Sequence, residues 1–209
     1  MKKIIFSLVM LLSVKAMAQG DKYTDAMQKA LIALDSSKTT LALQSVATMF
    51  EQIGDAEKTQ WLPYYYAGLA YSTIGWMDQG VDKDANAEKI NALCNKAEAI
   101  EKNAEIYSLR NMAATQQMIV DPQSRWMTYG QEAGGALQKG LELDPNNPRL
   151  HYLEAMSVLN TPEQFGGGKK KARPMIEKTI ELMTAEHVKP LYPHWGLQQA
   201  QAALAQTNL

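Results

Sequence analysis

One short joint between two amphipathic helices limits the folds open to this chain. The stretch from Ala133 to Tyr152 reads AGGALQKGLELDPNNPRLHY. It closes one helix, breaks at DPNNP and opens the next, because proline cannot extend a helix. A joint this short, with small residues at fixed offsets, is typical of stacked helical hairpins. Arrays of such hairpins commonly present a groove that binds a partner.

The beginning of the chain has the pattern of an export signal. Two early lysines precede an apolar run, Ile4 to Val14, and Ala16-Met17-Ala18 offers the small-x-small cleavage pattern. We predict a signal peptide over residues 1–18, cut after Ala18, and one mature domain over residues 19–209. An uncleaved anchor is the alternative, but so short a run does not span the roughly 30 Å of a bilayer core. We expect a periplasmic or secreted protein with no stable membrane insertion after cleavage.

Charge and composition exclude some functions and favour one fold class. The chain has 21 basic and 22 acidic residues, and loss of the three lysines of the signal segment leaves 18 against 22. A nucleic-acid-binding protein needs a basic surface, so we expect no nucleic-acid partner. Helix formers dominate, and no stretch alternates in polarity for long enough to predict a strand. The sequence therefore predicts an all-α fold of about nine helices.

Small residues stand where helices are expected to cross. The motif Tyr64-x-x-Ala67-Gly68-x-x-Tyr71 places a small pair between aromatics, and Ala133-x-x-x-Leu137-x-x-Gly140 is followed by a helix-ending Pro145. Close crossings need a small side chain at the contact and bulky ones a turn away. Gly68 and Gly140 are the predicted crossing points.

These motifs resemble the two helices of a tetratricopeptide (TPR) unit, over about residues 56–185. The segment TPEQFGGGKKKA also resembles the turn between paired helices in TPR-like proteins exported by Gram-negative bacteria. The resemblance implies antiparallel hairpins stacked as a short TPR-like α-solenoid, and it implies no activity. Equivalent positions recur about 43 residues apart, against about 34 in the family, and an irregular helical bundle is the alternative. The predicted repeat-packing residues are Gly68, Tyr71, Ala97, Ala133, Leu137, Gly140, Pro145 and Ala155.

The polar clusters do not match known site motifs. The acidic segment 78–88 lacks the glycine and glutamate spacing of a calcium-binding hand, and residues 166–171 lack the spacing of a phosphate-binding loop. No histidine has a second ligand at helical spacing. We therefore predict no catalytic residue, no cofactor and no metal ion. The single cysteine, Cys94, lies on an apolar face and is expected to be buried.

Aromatic residues are the best candidates for recognition. Tyr64, Tyr65 and Tyr66 are consecutive and stand about 100° apart on a helix, so at least one is expected to face a groove or solvent. Trp126 and Tyr129 belong to the sixth predicted helix. Together these five residues form the candidate binding groove, since tyrosine and tryptophan are suited to recognition.

The sequence favours a non-enzymatic periplasmic scaffold or adaptor that binds a protein or peptide on its concave face. The alternative is a small-molecule-binding accessory of an envelope uptake system. The shape of the site separates the two hypotheses. An open, hydrophilic groove favours a peptide, whereas an enclosed cavity of about 300 Å³ or more lined by tryptophan and tyrosine favours a small ligand.

Overall fold

A computed structural model describes residues 22–207 of the chain. In that range the chain forms helices and no β-strand, which confirms the all-α prediction. None of the helices in this range is both long and apolar enough to cross a bilayer. The predicted signal peptide and its cleavage site after Ala18 lie outside the described residues.

The described helices follow the order expected from the sequence. They are α1 (residues 22–36), α2 (Thr40–Glu57), α3 (Leu62–Met77), α4 (Lys83–Ile100), α5 (Ala104–Met118), α6 (Pro122–Arg125), α7 (Gln131–Leu143), α8 (Pro148–Asn160), α9 (Lys169–Ala185) and α10 (Leu197–Gln206). A π-helical turn, Trp126–Gly130, joins α6 to α7, so the predicted sixth helix is one continuous element. A 3-10 turn, Glu163–Phe165, lies between α8 and α9.

The helices pack as a series of hairpins with a change of partner near the C-terminus. Neighbouring helices from α2 to α5 pack on each other in turn, and α7 packs on α5. Although only four residues separate α7 from α8, α8 packs mainly on α9, which α10 covers from its other side. The C-terminal helices therefore form a unit that branches away from the first series.

Two apolar clusters reflect this division. The first contains buried residues of α1 to α5, among them Phe50, Tyr65 and Ile90. The second belongs to α8, α9 and α10 and includes Ala155 and Ile176. Burial of such side chains is the main stabilising contribution in each cluster.

The predicted crossing glycines both lie at close helix contacts. A Cβ atom on Gly68 would stand 2.9 Å from Leu109 Cδ1, and one on Gly140 would stand 2.5 Å from Leu150 Cδ1. Larger residues would therefore force the helices apart. Of the other repeat-packing residues, four are buried, Leu137 is half-buried and Pro145 is exposed in the turn; the buried four are Tyr71, Ala97, Ala133 and Ala155.

One helix end differs from its prediction. Gly54 is expected to cap α2, yet the helix continues to Glu57 and ends at Lys58, which adopts φ 58° and donates its N–H to the carbonyl of Gly54. Gly54 is required for packing instead. A Cβ atom there would lie 2.8 Å from the ring of Tyr64. The glycine makes room for an aromatic ring from α3.

Candidate functional site

A cavity of about 360 Å³ opens where three connections between helices meet. These are the α4–α5 joint, the α7–α8 joint and the segment of residues 186–196 between α9 and α10, which we call the strap. The volume is that of a small-molecule pocket. The lining residues are Trp61, Glu101, Lys102, Asn103, Ala104, Glu105, Leu143, Asp144, Asn147, Arg149, Glu186, His187, Val188, Lys189, Tyr192 and Pro193.

The α7–α8 joint places polar groups at the floor of this cavity. Asn147 caps α8, because its side-chain oxygen accepts hydrogen bonds of 3.1 Å from the N–H groups of Arg149 and Leu150. Its amide nitrogen donates to Glu105 Oε1 over 2.6 Å. The DPNNP sequence thus ends one helix, starts another and directs a side chain towards α5.

A buried ion cluster forms the centre of the floor. Arg149 donates its Nε to both oxygens of Glu105, at 2.7 and 2.8 Å, and its Nη1 to Glu186 Oε2 at 2.9 Å. Burial raises the pKa of Glu105, and the charge of Arg149 and the hydrogen bond from Asn147 oppose that rise. Burial would lower the pKa of Arg149, but its two carboxylate partners raise it overall. The guanidinium is therefore charged and links α5, α8 and the strap.

Hydrogen bonds with two tyrosines of α3 hold the strap against that helix. Tyr66 Oη donates to the carbonyl of Leu191 over 2.9 Å, and Trp195 Nε1 donates to Tyr65 Oη over 2.8 Å. Tyr192 meets Trp61 edge to face, with ring centroids 5.7 Å apart. Leu191 adopts φ 67°, a left-handed conformation that is costly for leucine. The surrounding contacts hold the strap in this shape.

The consecutive tyrosines are all buried, so the expectation that one of them faces a groove or solvent is wrong. Tyr64, Tyr65 and Tyr66 are 6%, 0% and 3% exposed. The reason is that α3 is covered on more than one side, by α2 and α4 in the array and by the strap. Tyr64 points to α2, where its hydroxyl donates to Asp55 over 2.8 Å.

The other two predicted groove residues lie elsewhere. Trp126 is 55% exposed on the π-helical turn, and Tyr129 is half-buried beside Arg125, whose guanidinium carbon is 5.7 Å from the ring centroid. Neither lines the cavity. The structure therefore does not bring the five predicted groove residues together into one site.

The cavity combines aromatic, apolar, basic and acidic groups, and its four acidic lining residues are Glu101, Glu105, Asp144 and Glu186. Trp61 and Tyr192 form an aromatic wall, while Leu143 and Val188 are 44% and 42% exposed at the rim. Three basic side chains reach the same space from the joints; they are Lys102, His187 and Lys189. These three residues were not expected at a site, because Lys102 lies 85 residues before His187 in the chain and none of the three matches a motif. Their only sequence signal is position, since Lys102 ends a predicted helix and His187 and Lys189 lie in the connection between the last two predicted helices.

The remaining polar candidates have structural partners. Asp82 caps α4 by accepting from the N–H groups of Asp84 and Ala85, and Asp84 pairs with Arg125 at 2.8 Å. Among residues 22–207, no three His, Cys, Asp or Glu side chains are grouped so as to hold a metal ion. Cys94 is buried, as predicted, and burial raises the pKa of its thiol to about 12.

Comparison with solved structures shows which proteins this chain is similar to. The structure of the HusA haemophore from Porphyromonas gingivalis is similar to this chain, with a TM-score of 0.81 and 37% sequence identity. The match covers 88% of this chain and 92% of that one. The chain belongs to the HusA haemophore family. No family model matches the sequence, and no curated protein matches it. The helical arrangement and the strap are thus features of a HusA-family member.

Proposed function

We propose that this protein is an exported carrier that binds haem in the cavity beside the strap. The observation that supports it most is its similarity to a haemophore over nearly the whole length of both chains. The site is a half-open cleft and not the enclosed cavity expected for a small-molecule carrier, but its volume and the aromatic pair of Trp61 and Tyr192 favour a small ligand over a peptide. Among the two functions inferred from the sequence, the small-molecule accessory therefore has better support than the scaffold.

Arg149 neutralises Glu105 and Glu186 in part, and the rest of the lining carries two lysines and two carboxylates, Glu101 and Asp144, so a planar macrocycle with two carboxylates would be held through the lysines. Half-buried Tyr192 offers aromatic surface, with the buried ring of Trp61 packed edge to face against it, and the exposed parts of Leu143 and Val188 extend this surface at the rim. Lys102 and Lys189 supply positive charge for two carboxylates, as charge-assisted hydrogen bonds require. His187 supplies an imidazole, the commonest protein ligand of haem iron in globins and peroxidases. We propose binding without catalysis.

Titration of the purified protein with haemin, followed by its absorbance, tests the proposal. We expect saturable binding, and about tenfold weaker binding when Lys102→Ala and Lys189→Ala are combined, since each removes a charged partner. Lys139→Ala is the matched control, because Lys139 is exposed on α7 and outside the cavity. Unsaturable binding by the wild type, or equal affinity in the double variant, would contradict this site.

A parallel titration with iron-free protoporphyrin separates the role of the histidine. If His187 contacts iron, His187→Ala alters the haemin spectrum and affinity but leaves protoporphyrin binding unchanged. Equal effects on both ligands would assign His187 to the macrocycle or its carboxylates instead.

We also propose export through the predicted leader. N-terminal sequencing of protein from the envelope or medium should start at Gln19. A purified chain retaining its first eighteen residues would contradict the proposed cleavage.

We further propose that the helical array is a divergent TPR-like one. The close packing at Gly68 and Gly140 supports this.

A second function has support from one surface. Six large apolar side chains are exposed at the end of the array formed by the C-termini of α3 and α5 and by the π-helical turn; they are Trp76, Met77, Ile119, Val120, Trp126 and Met127. Exposed clusters of this kind commonly bind proteins. We propose that the protein contact expected from the sequence occurs here. In the native envelope, crosslinking should join the wild-type protein to a partner protein, and the double variant Trp126→Ser with Met127→Ser should lose this product. The same crosslinked product in the double variant would contradict the proposed contact.

A further inference from the structure

The turn between α8 and α9 displays an isolated aromatic side chain. Phe165 is 74% exposed at the end of the 3-10 turn. The turn is held by backbone hydrogen bonds of 2.9 Å, from Gly166 N–H to the carbonyl of Glu163 and from Gly168 N–H to that of Val158. The ring is therefore presented to solvent by an ordered segment, without an apolar neighbour to cover it.

Three consecutive lysines follow this turn in the sequence. Lys169, Lys170 and Lys171 are all exposed in the first turn of α9, and Lys171 Nζ reaches back to the carbonyl of Gly166 over 2.7 Å. The first turn of α9 has no acidic residue. Cations are unfavourable at a helix N-terminus because of the helix dipole. Helix stability therefore does not account for their position.

We propose that residues 163–171 form a peripheral contact with the surface of a bilayer that carries anionic headgroups. The ring of Phe165 would enter the interfacial region, and the three lysines would pair with lipid phosphates. Charge complementarity selects this partner. The whole chain has a formal net charge of −1, whereas residues 163–171 carry three adjacent lysines against one acidic residue, Glu163, so the segment is a locally basic surface. A protruding ring is suited to a soft, flat surface rather than to a groove.

The position of the contact keeps the cavity accessible. Arg149 at the start of α8 and Glu186 after the end of α9 form the cavity floor, whereas Phe165 lies at the opposite end of this hairpin. Because α8 has 13 residues, its length places Phe165 about 20 Å from the cavity floor. A contact with one aromatic ring and three lysines is weak, at most near the 10⁴ M⁻¹ of a single myristoyl chain. Binding is thus reversible.

Vesicle co-sedimentation of the purified protein tests the contact without haem. We expect binding to phosphatidylcholine vesicles that contain about one third phosphatidylglycerol, loss of binding at high salt, and no binding to pure phosphatidylcholine. Phe165→Ser should weaken binding about tenfold. Lys169→Glu combined with Lys170→Glu should weaken it at least about 25-fold, since each lysine contributes about fivefold.

Matched variants control for exposure and charge. Leu41→Ser removes an apolar side chain that is also 74% exposed, and Lys29→Glu with Lys139→Glu makes the same change in net charge on α1 and α7. Both should bind vesicles like the wild type. The proposal is overturned if the wild type ignores anionic vesicles, if it binds neutral vesicles equally, or if the controls lose as much binding as the turn variants. Haem titration does not enter this test, so the two proposals fail independently.

Discussion

Arg149 and Glu186 join the start of α8 to the end of α9 across the floor of the cavity, with Arg149 Nη1 2.9 Å from Glu186 Oε2. The same guanidinium holds Glu105 of α5, so one buried cation connects both apolar clusters and the strap. A cation that lies between two carboxylates is hard to replace, since removing it leaves a buried charge without a partner.

Arg149→Ala is therefore expected to destabilise the protein by about 3–5 kcal/mol. Adding Glu105→Gln should recover part of this loss, because the buried carboxylate that remains in the single variant is then neutral. Urea unfolding followed by circular dichroism measures both effects. A single variant within 1 kcal/mol of the wild type, an amount typical of exposed ion pairs, would show that the cluster is not buried in solution.

The crossing at Gly140 predicts a large effect of side-chain size. Gly140→Leu should cost on the order of 1–3 kcal/mol, because its Cβ would already lie 2.5 Å from Leu150 Cδ1. Gly134→Leu, also in α7, has no neighbouring atom within 4 Å of the new Cβ. It should stabilise the helix by about 0.5–1 kcal/mol through propensity. Opposite shifts in melting temperature are expected, and shifts of the same sign would contradict the packing.

Glu98 predicts an acid-dependent contribution to stability. Burial raises the pKa of Glu98. Two hydrogen bonds to the carboxylate outweigh burial and lower the pKa below 4.5 overall. Tyr107 donates to Oε1 over 2.6 Å, and Arg110 donates to Oε2 over 2.7 Å. The folded state therefore binds this proton less readily than the unfolded state. The contribution is present above pH 4.5 and is lost as the pH falls through the lower, folded pKa.

Glu98→Gln should accordingly lower the free energy of unfolding at neutral pH and flatten its decrease in acid. Glu88→Gln is the control on α4, since Glu88 is exposed. Parallel acid titrations of unfolding should show a difference only for Glu98→Gln. Superimposable curves for all three proteins would mean that the Tyr107 and Arg110 contacts do not favour the carboxylate.

Cys94 should be unreactive in the folded protein. Its side chain is 1% exposed, and burial raises the pKa of the thiol to about 12, so little thiolate exists at neutral pH. A maleimide reagent should label it only in denaturant. Lys96→Cys, exposed two residues later on α4, is the control and should react in the folded state. Rapid labelling of native Cys94 would indicate local opening of α4.

Local chemistry determined most helix boundaries, and these could be predicted. Asn147 and Pro148 start α8 by capping and by fixed backbone geometry, and both effects are readable within a few residues. Gly54 misled the prediction because glycine suits a helix end and a close contact equally well. Only the ring of Tyr64, which comes from the next helix, shows which applies. Asn111 donates to the carbonyl of Ala133 over 2.9 Å and so joins α5 to α7 through a hydrogen bond that no helical periodicity predicts.

The site was less predictable, because it is assembled from distant connections. Lys102, Leu143 and His187 meet only after the strap folds back over α3. Hydrophobic periodicity describes one helix at a time and contains no information on that return. The same limit explains the tyrosines of α3, whose burial depends on a segment more than a hundred residues later.

The division into two apolar clusters predicts how the protein unfolds on heating. The cavity is lined by Trp61 and the α4–α5 joint on one side, and by the start of α8 and the strap, which precede and link the helices of the second cluster, on the other. Separate cores can open as separate cooperative units. Heating that releases α8 to α10 while α2 to α5 stay folded would take Arg149 out of the cavity, and the haem binding proposed above would then be lost. We therefore expect ligand release at a lower temperature than the loss of most of the helical signal.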